Sequence, residues 1–153
     1  MEITNQQIIE CSQALQTLNS PNLPWKTRLR LDRNLRKLNN AAADYEFSRS
    51  RLEWSVKKDQ TKSSHKQDGT PDLTPEEHLL FQEKLQALFR EKAEVEVHQV
   101  ELYDSAEGQV PTEEASLDLA NITLAPRQRA TLLDVVFKEW MGKTAPKSSL
   151  NEQ

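Results

Sequence analysis

Six cations stand within twelve residues at Lys26, Arg28, Arg30, Arg33, Arg36 and Lys37, and Asp32 is the one acid among them. On a helix, positions 26, 30, 33 and 37 share a face. Such a face meets phosphate oxygens or carboxylates. Trp25 adjoins the cluster and offers a ring for stacking. Three chemistries fit these residues: contact with nucleic-acid phosphates, docking of an acidic partner, and pairing with acids of the same chain. Trp54, two positions off the apolar stripe of its helix, and Trp140, near a helix end, are further candidate partner contacts, because each either closes the core or anchors a partner.

The remaining polar types carry weaker chemistry. His98 stands among Glu94, Glu96 and Glu101, which are metal-ligand types. The same row suits the wet side of a strand, where acids discourage edge pairing. His78 reads as a boundary residue and His65 lies in a polar loop. Cys11 falls on an apolar helical stripe with no base within a turn to lower its pKa, so it reads as a small hydrophobe. Arg49 interrupts a second stripe. If buried, it needs a carboxylate such as Glu83 or Glu91, and the alternative is an anion site. Glu76/Glu77 and Glu113/Glu114 read as a helix start and a loop.

A single cysteine excludes disulfide frameworks and multi-cysteine zinc sites. Three glycines form no phosphate-cradling loop. Neither an HExxH motif nor a nucleophile elbow or triad signature is present. The expectation is a protein that is not an enzyme and uses no metal or cofactor.

The elements that must position these residues follow from periodicity. At 153 residues, with 36% hydrophobic and 29% charged, the chain has the length of one domain. Thr4 and Gln7 form a capping box for a helix over residues 5–18, with the stripe Ile8, Cys11, Leu15, Leu18. Two prolines, Pro21 and Pro24, end it in a stiff turn. A second helix starts with Pro24 at its first position and runs toward Lys58. Its stripe is Leu31, Leu35, Leu38, Ala42, Tyr45, Arg49, Leu52, Val56. A rod of that length, about 50 Å at ~1.5 Å per residue, must pack along another helix or another chain. Residues 57–73 read as a flexible polar loop. Thr74, Pro75 and Glu77 then start a third helix, striped by His78, Phe81, Leu85 and Leu88. It is expected to return antiparallel along the second.

From Ala93 the pattern alternates. Residues 94–102 and 117–124 read as short strands pairing in one hairpin across a loop at 103–114, although continuation of the third helix to Leu102 also fits. A last helix is expected from Pro126 to Met141, with Gly142 as its C-cap, followed by a disordered polar tail at 143–153. The fold class is mainly α, a long antiparallel helical hairpin with flanking helices and a small β-hairpin. Residues 1–142 form its single domain.

Charge is divided along the chain. Residues 1–66 carry 12 Lys/Arg against 7 Asp/Glu, while residues 67–153 carry 8 against 17. Halves of opposite sign pack within one chain or dock head to tail between copies. The start lacks the basic and apolar regions of a signal peptide, and no apolar run approaches the ~20 residues of a membrane span. The expected setting is cytoplasmic or virion-associated, without a membrane.

Several short segments set a further expectation: Ile8-Ile9-Glu10-Cys11-Ser12-Gln13-Ala14-Leu15-Gln16-Thr17-Leu18, Leu23-Pro24-Trp25-Lys26-Thr27, Leu31-Asp32-Arg33-Asn34-Leu35, and Glu94-Val95-Glu96-Val97 after an acidic helix. The layout they define, over about two thirds of the chain, resembles a family of small bacteriophage proteins of unknown function. The resemblance implies a phage or prophage origin and a small non-enzymatic protein, and it brings no catalytic residues with it. The expected function is a phage-type interaction protein, a virion assembly or minor structural component with a protein partner, either itself or another. The alternatives are an inhibitor of a host protein such as a defence nuclease, and a nucleic-acid binder using residues 26–37.

Overall fold

Thr4 starts the first helix as its sequence dictates. Its hydroxyl accepts the Gln7 backbone N–H at 3.1 Å, and the Gln7 side chain accepts the Thr4 N–H at 2.9 Å. The computed structural model describes residues 1–18, 23–57 and 69–142. A short strand β1 (Glu2–Thr4) leads into α1 (Asn5–Thr17), which buries Ile8, Cys11 and Leu15. The turn at 19–22, most of the expected loop at 57–73 and the tail at 143–153 lie outside the described residues.

The long helix α2 (Trp25–Ser55) has 31 residues, about 46 Å at ~1.5 Å per residue. Pro24 stands one position earlier than expected, as the extended N-cap rather than the first helical residue. The helix ends at Ser55, short of Lys58. Its buried positions are Thr27, Leu31, Asn34, Leu38 and Tyr45. Steps of 3, 4 and 7 between them keep one stripe inward. α1 lies along this stripe, and Ala41 and Ala42 pack against the same core cluster.

α3 (Pro75–Arg90) opens with the expected capping box between Thr74 and Glu77 and with Pro75 at its start. Phe81 and Leu85 join Tyr45 and Val56 in a second, smaller cluster. Tyr45 stacks on Phe89 with centroids 5.5 Å apart, and Arg49 lies over Phe81 at 5.8 Å. α3 ends at Arg90, so the alternative of a helix running to Leu102 is overturned. The Asn5 side chain donates to Leu88 O at 2.8 Å, and its backbone N–H to Glu91 O at 2.9 Å. The start of α1 thereby satisfies carbonyls at the end of α3.

The strands pair differently from the expected hairpin. β1 pairs antiparallel with β2 (Lys92–Glu94). β3 (Val100–Tyr103) is the middle strand of a parallel sheet, between β4 (Ser116–Asp118) and β5 (Phe137–Glu139). The connection at 104–115 is therefore a crossover and not a hairpin loop. A dozen residues is about the minimum for joining parallel neighbours. It contains a 3₁₀ turn, Ser105–Glu107, closed by Gly108 at φ 75°, a conformation that favours glycine. A second 3₁₀ turn, Leu119–Asn121, replaces the rest of the strand expected to Leu124.

The last helix is also shorter than expected. α4 (Pro126–Val135) stops after ten residues, and Phe137–Glu139 is strand β5. Val135, Val136 and Phe137 are all fully buried. Three consecutive buried side chains do not fit one face of a helix, and β5 places Phe137 opposite Val100 in the sheet. Gly142 is thus no helix cap, and it lies against the Trp140 ring. The main core joins α1, α2, α4 and the parallel sheet through Ile8, Leu38, Leu132, Val100, Leu117 and Phe137. The fold is mainly α with a smaller β component.

Candidate functional site

The start of α2 divides the six cations among three directions. Lys26, Arg30 and Lys37 turn toward the strands. Lys26 pairs with Glu114. Arg30 donates to Gln99 O at 3.3 Å, and Lys37 lies 3.8 Å from Glu96. The bond from Lys26 holds the Glu114 carboxyl below its usual pKa. Arg28 lines a cleft of about 250 Å³ with Leu15, Leu23 and Leu31, at the end of α1 and the start of α2. Arg33 and Arg36 point outward, exposed and without an ion-pair partner among the described residues. The structure therefore satisfies part of the basic cluster within the chain and leaves two arginines presented.

Between these cations, Thr27 and Asn34 grip the strands. Thr27 Oγ1 donates to Ser116 O at 2.7 Å and accepts the Ser116 N–H at 3.1 Å. Asn34 Nδ2 donates to His98 O at 2.7 Å, and its Oδ1 accepts the His98 N–H at 3.0 Å. Both side chains are essentially inaccessible. They occupy core positions as polar residues because each matches a peptide group that lacks a ladder partner. Sequence periodicity missed both, since it ranked that stripe by its leucines.

The tryptophans are placed unequally. Trp25 is 70% exposed, with the Lys26 ammonium 5.5 Å from its ring centroid. Trp54 is exposed at the other end of α2, with Lys57 over its ring at 5.8 Å. Trp140, expected near a helix end, follows β5. Its indole N–H donates to Val110 O at 2.6 Å, and its ring is half-buried. It fastens the crossover connection and is not a free anchor.

Two large apolar side chains on α2 were not singled out by sequence. Phe47 is 64% exposed under the Arg51 guanidinium, and Leu29 is 42% exposed. At ~100° per residue, Trp25, Leu29, Phe47 and Trp54 all lie opposite the buried stripe of Leu31, Leu38 and Tyr45. The signal was therefore present in the same helical periodicity, read on its other face. The result is an outward row along the full helix with apolar residues at both ends and Arg33 and Arg36 between them.

Elsewhere the candidate chemistry resolves into local contacts. His98 Nε2 meets Glu96 at 3.1 Å, and the Glu94–His98 segment is not one strand face, because β2 stops at Glu94. Among the described residues no group of three metal-ligand types converges. Arg49 pairs with Glu46 of its own helix at 3.9 Å, not with Glu83 or Glu91. Glu101 is a buried carboxylate on the central strand that accepts the Thr112 backbone N–H at 2.7 Å and the Thr112 hydroxyl. Its alternating neighbours gave no sign of that burial. Burial pushes the Cys11 thiol up to about 12, with Glu10 and Asp134 adding to the effect, which makes it a poor nucleophile. No helix among the described residues is long and apolar enough to cross a membrane.

The outward face of α2 is thus an exposed surface on which Trp25, Leu29, Phe47 and Trp54 stand. Comparison of the chain with protein-family models, with curated proteins and with solved structures gives no match.

Proposed function

We propose that this is a non-enzymatic interaction protein that docks a protein partner along the outward face of α2. α2 and α3, folded back on each other as a helical hairpin, serve as its stiff arm. The observation that carries this reading is the row of exposed Trp25, Leu29, Phe47 and Trp54 on one side of a single helix. Scattered apolar residues on a surface are ordinary, but a row along one element marks contact. Arg33 and Arg36 add charge that selects the partner. Together with the phage resemblance, this favours a virion assembly or minor structural component in a cytoplasmic or particle setting.

The test is the size of the complex in cells that make the protein. Tagged wild-type chain should elute from lysate in an assembly larger than the purified chain's own form. Phe47→Arg, an exposed change that leaves the core alone, should release it. If wild type and variant elute alike, the reading fails. If nuclease treatment alone dissolves the assembly, the cations at 26–37 act on nucleic acid instead.

A further inference from the structure

The apolar residues on the outward face of α2 fall into two groups. Trp25 and Leu29 stand near its start, and Phe47 and Trp54 near its end. Leu29 and Phe47 lie about 27 Å apart along the helix axis. Between them the outward positions are Arg33, Arg36, Asn40 and Ala43, all exposed. The three aromatic rings expose roughly 400 Å² together, about half of the ~800 Å² that each side of a standard interface buries. A partner that covers both ends must therefore also lie across Arg33 and Arg36.

We infer that the partner docks an acidic amphipathic helix on this face. Its central carboxylates meet Arg33 and Arg36, and its apolar side chains, about 27 Å apart, meet the two ends. This partner chemistry rests on the docking role given to the face above. Arg33 and Arg36 have no ion-pair partner among the described residues. Covering them without carboxylates would strip each charge of its water and give nothing in return. Lys26 and Lys37, at the margin of the same face, already hold Glu114 and Glu96. A helix suits the surface, because the flank of α2 offers no free backbone N–H or C=O with which an extended segment could pair.

Two features favour an acidic protein segment over a nucleic acid. Lys26, Arg51 and Lys57 lie over the Trp25, Phe47 and Trp54 rings at 5.5, 5.7 and 5.8 Å. Each ring thus has one side taken by a cation and closed to a stacking base. Asp32 and Asp44 stand exposed at the edges of the row, where a phosphate backbone running along the helix would meet them. A protein segment can place carboxylates opposite the arginines and leave neutral residues beside Asp32 and Asp44. A second copy of this face would bring the same arginines and not the carboxylates they need.

A pair of labelled helical peptides, each about four heptads long, tests this on the purified full chain. One carries leucines in its first and last heptads and glutamates on the same face of the middle two, and the other has lysine for glutamate. In fluorescence anisotropy the glutamate peptide should bind about tenfold more tightly or better, and the preference should shrink as salt rises from about 0.05 to 0.5 M. Arg33→Glu combined with Arg36→Glu should reverse the preference while keeping the helical circular dichroism. Arg33→Lys combined with Arg36→Lys should retain it. Peptides that bind alike, a preference that survives the charge reversal, or no binding of the glutamate peptide each overturn the proposal. Tighter binding of a thymidine oligonucleotide overturns it in favour of nucleic acid, and self-association lost in Phe47→Arg does so in favour of a second copy. The lysate assembly separates this chemistry from the docking role. If Phe47→Arg dissolves it and the Arg33→Glu, Arg36→Glu chain does not, the docking role stands and its partner is not acidic. If neither variant dissolves it, both readings fall.

Discussion

Asn34 closes on both polar groups of the His98 peptide from inside the core. The amide mimics one rung of a β-ladder where residues 96–99 pair with no strand. Asn34→Ala leaves a buried N–H and C=O unpaired, so it should cost about 2–4 kcal/mol in urea unfolding. Asn34→Asp sets an oxygen against His98 O. It should destabilise at least as much at neutral pH and recover part of the loss in acid, where the protonated carboxyl can donate. Equal stability of wild type and Asn34→Ala would mean that water replaces the amide. The Cys11 thiol gives a second test. Its pKa rises from an ordinary 9.0 to about 12 on folding. Between those values the unfolded chain has lost a proton that the folded chain keeps, so stability must fall as pH rises. Up to about 1.4 kcal/mol per pH unit of that fall is assigned to this group. Cys11→Ala should show a shallower decline from pH 9 upward than wild type. Parallel declines would show that the thiol is not shielded.

At the scale of elements, α3 has the strongest local definition. Thr74, Pro75 and Glu77 fix its start before any tertiary contact forms. Thr74→Ala should cost about 1 kcal/mol, measured by thermal unfolding, and Thr74→Ser should recover most of it. No effect would mean that the Tyr45, Phe81 and Leu85 cluster alone holds the helix. α2 has weaker local definition, since Pro24 supplies no side-chain cap. Its inward face is specified by leucines together with Thr27 and Asn34. Its outward face is specified by nothing within the described fold, which is why it is the candidate surface. α4 and β5 follow the opposite logic: a helical sequence pattern is cut short because the sheet needs Phe137.

At the scale of the whole molecule, the opposite charge of the two halves is partly spent within the chain. Lys26 reaches Glu114 and Lys37 reaches Glu96. These pairs are exposed, and such pairs contribute about 0–1 kcal/mol each and are screened by salt. Raising salt from about 0.05 to 1 M should therefore shift the stability of the fold by less than about 1 kcal/mol in urea unfolding. A larger loss would show that the charged halves, rather than the apolar core, hold the elements together.

Local chemistry in the sequence determined the capping boxes that start α1 and α3, and the main apolar positions of the inward stripes of α1, α2 and α3. Capping boxes and 3.6-residue periodicity act over a few residues, so they can be read without knowing the fold. Tertiary structure alone decided that Val100–Tyr103 pairs in parallel with strands from two later segments, and that Val135–Phe137 leaves the helix. It also decided that Thr27, Asn34 and Glu101 are buried, and that Arg33 and Arg36 remain outside while Lys26 and Lys37 are engaged. For Thr27, Asn34, Lys26 and Lys37 the outcome depends on which peptide group or carboxylate arrives from about 60 to 90 residues away. A period along the chain records how often a side chain faces inward, but not what it meets there.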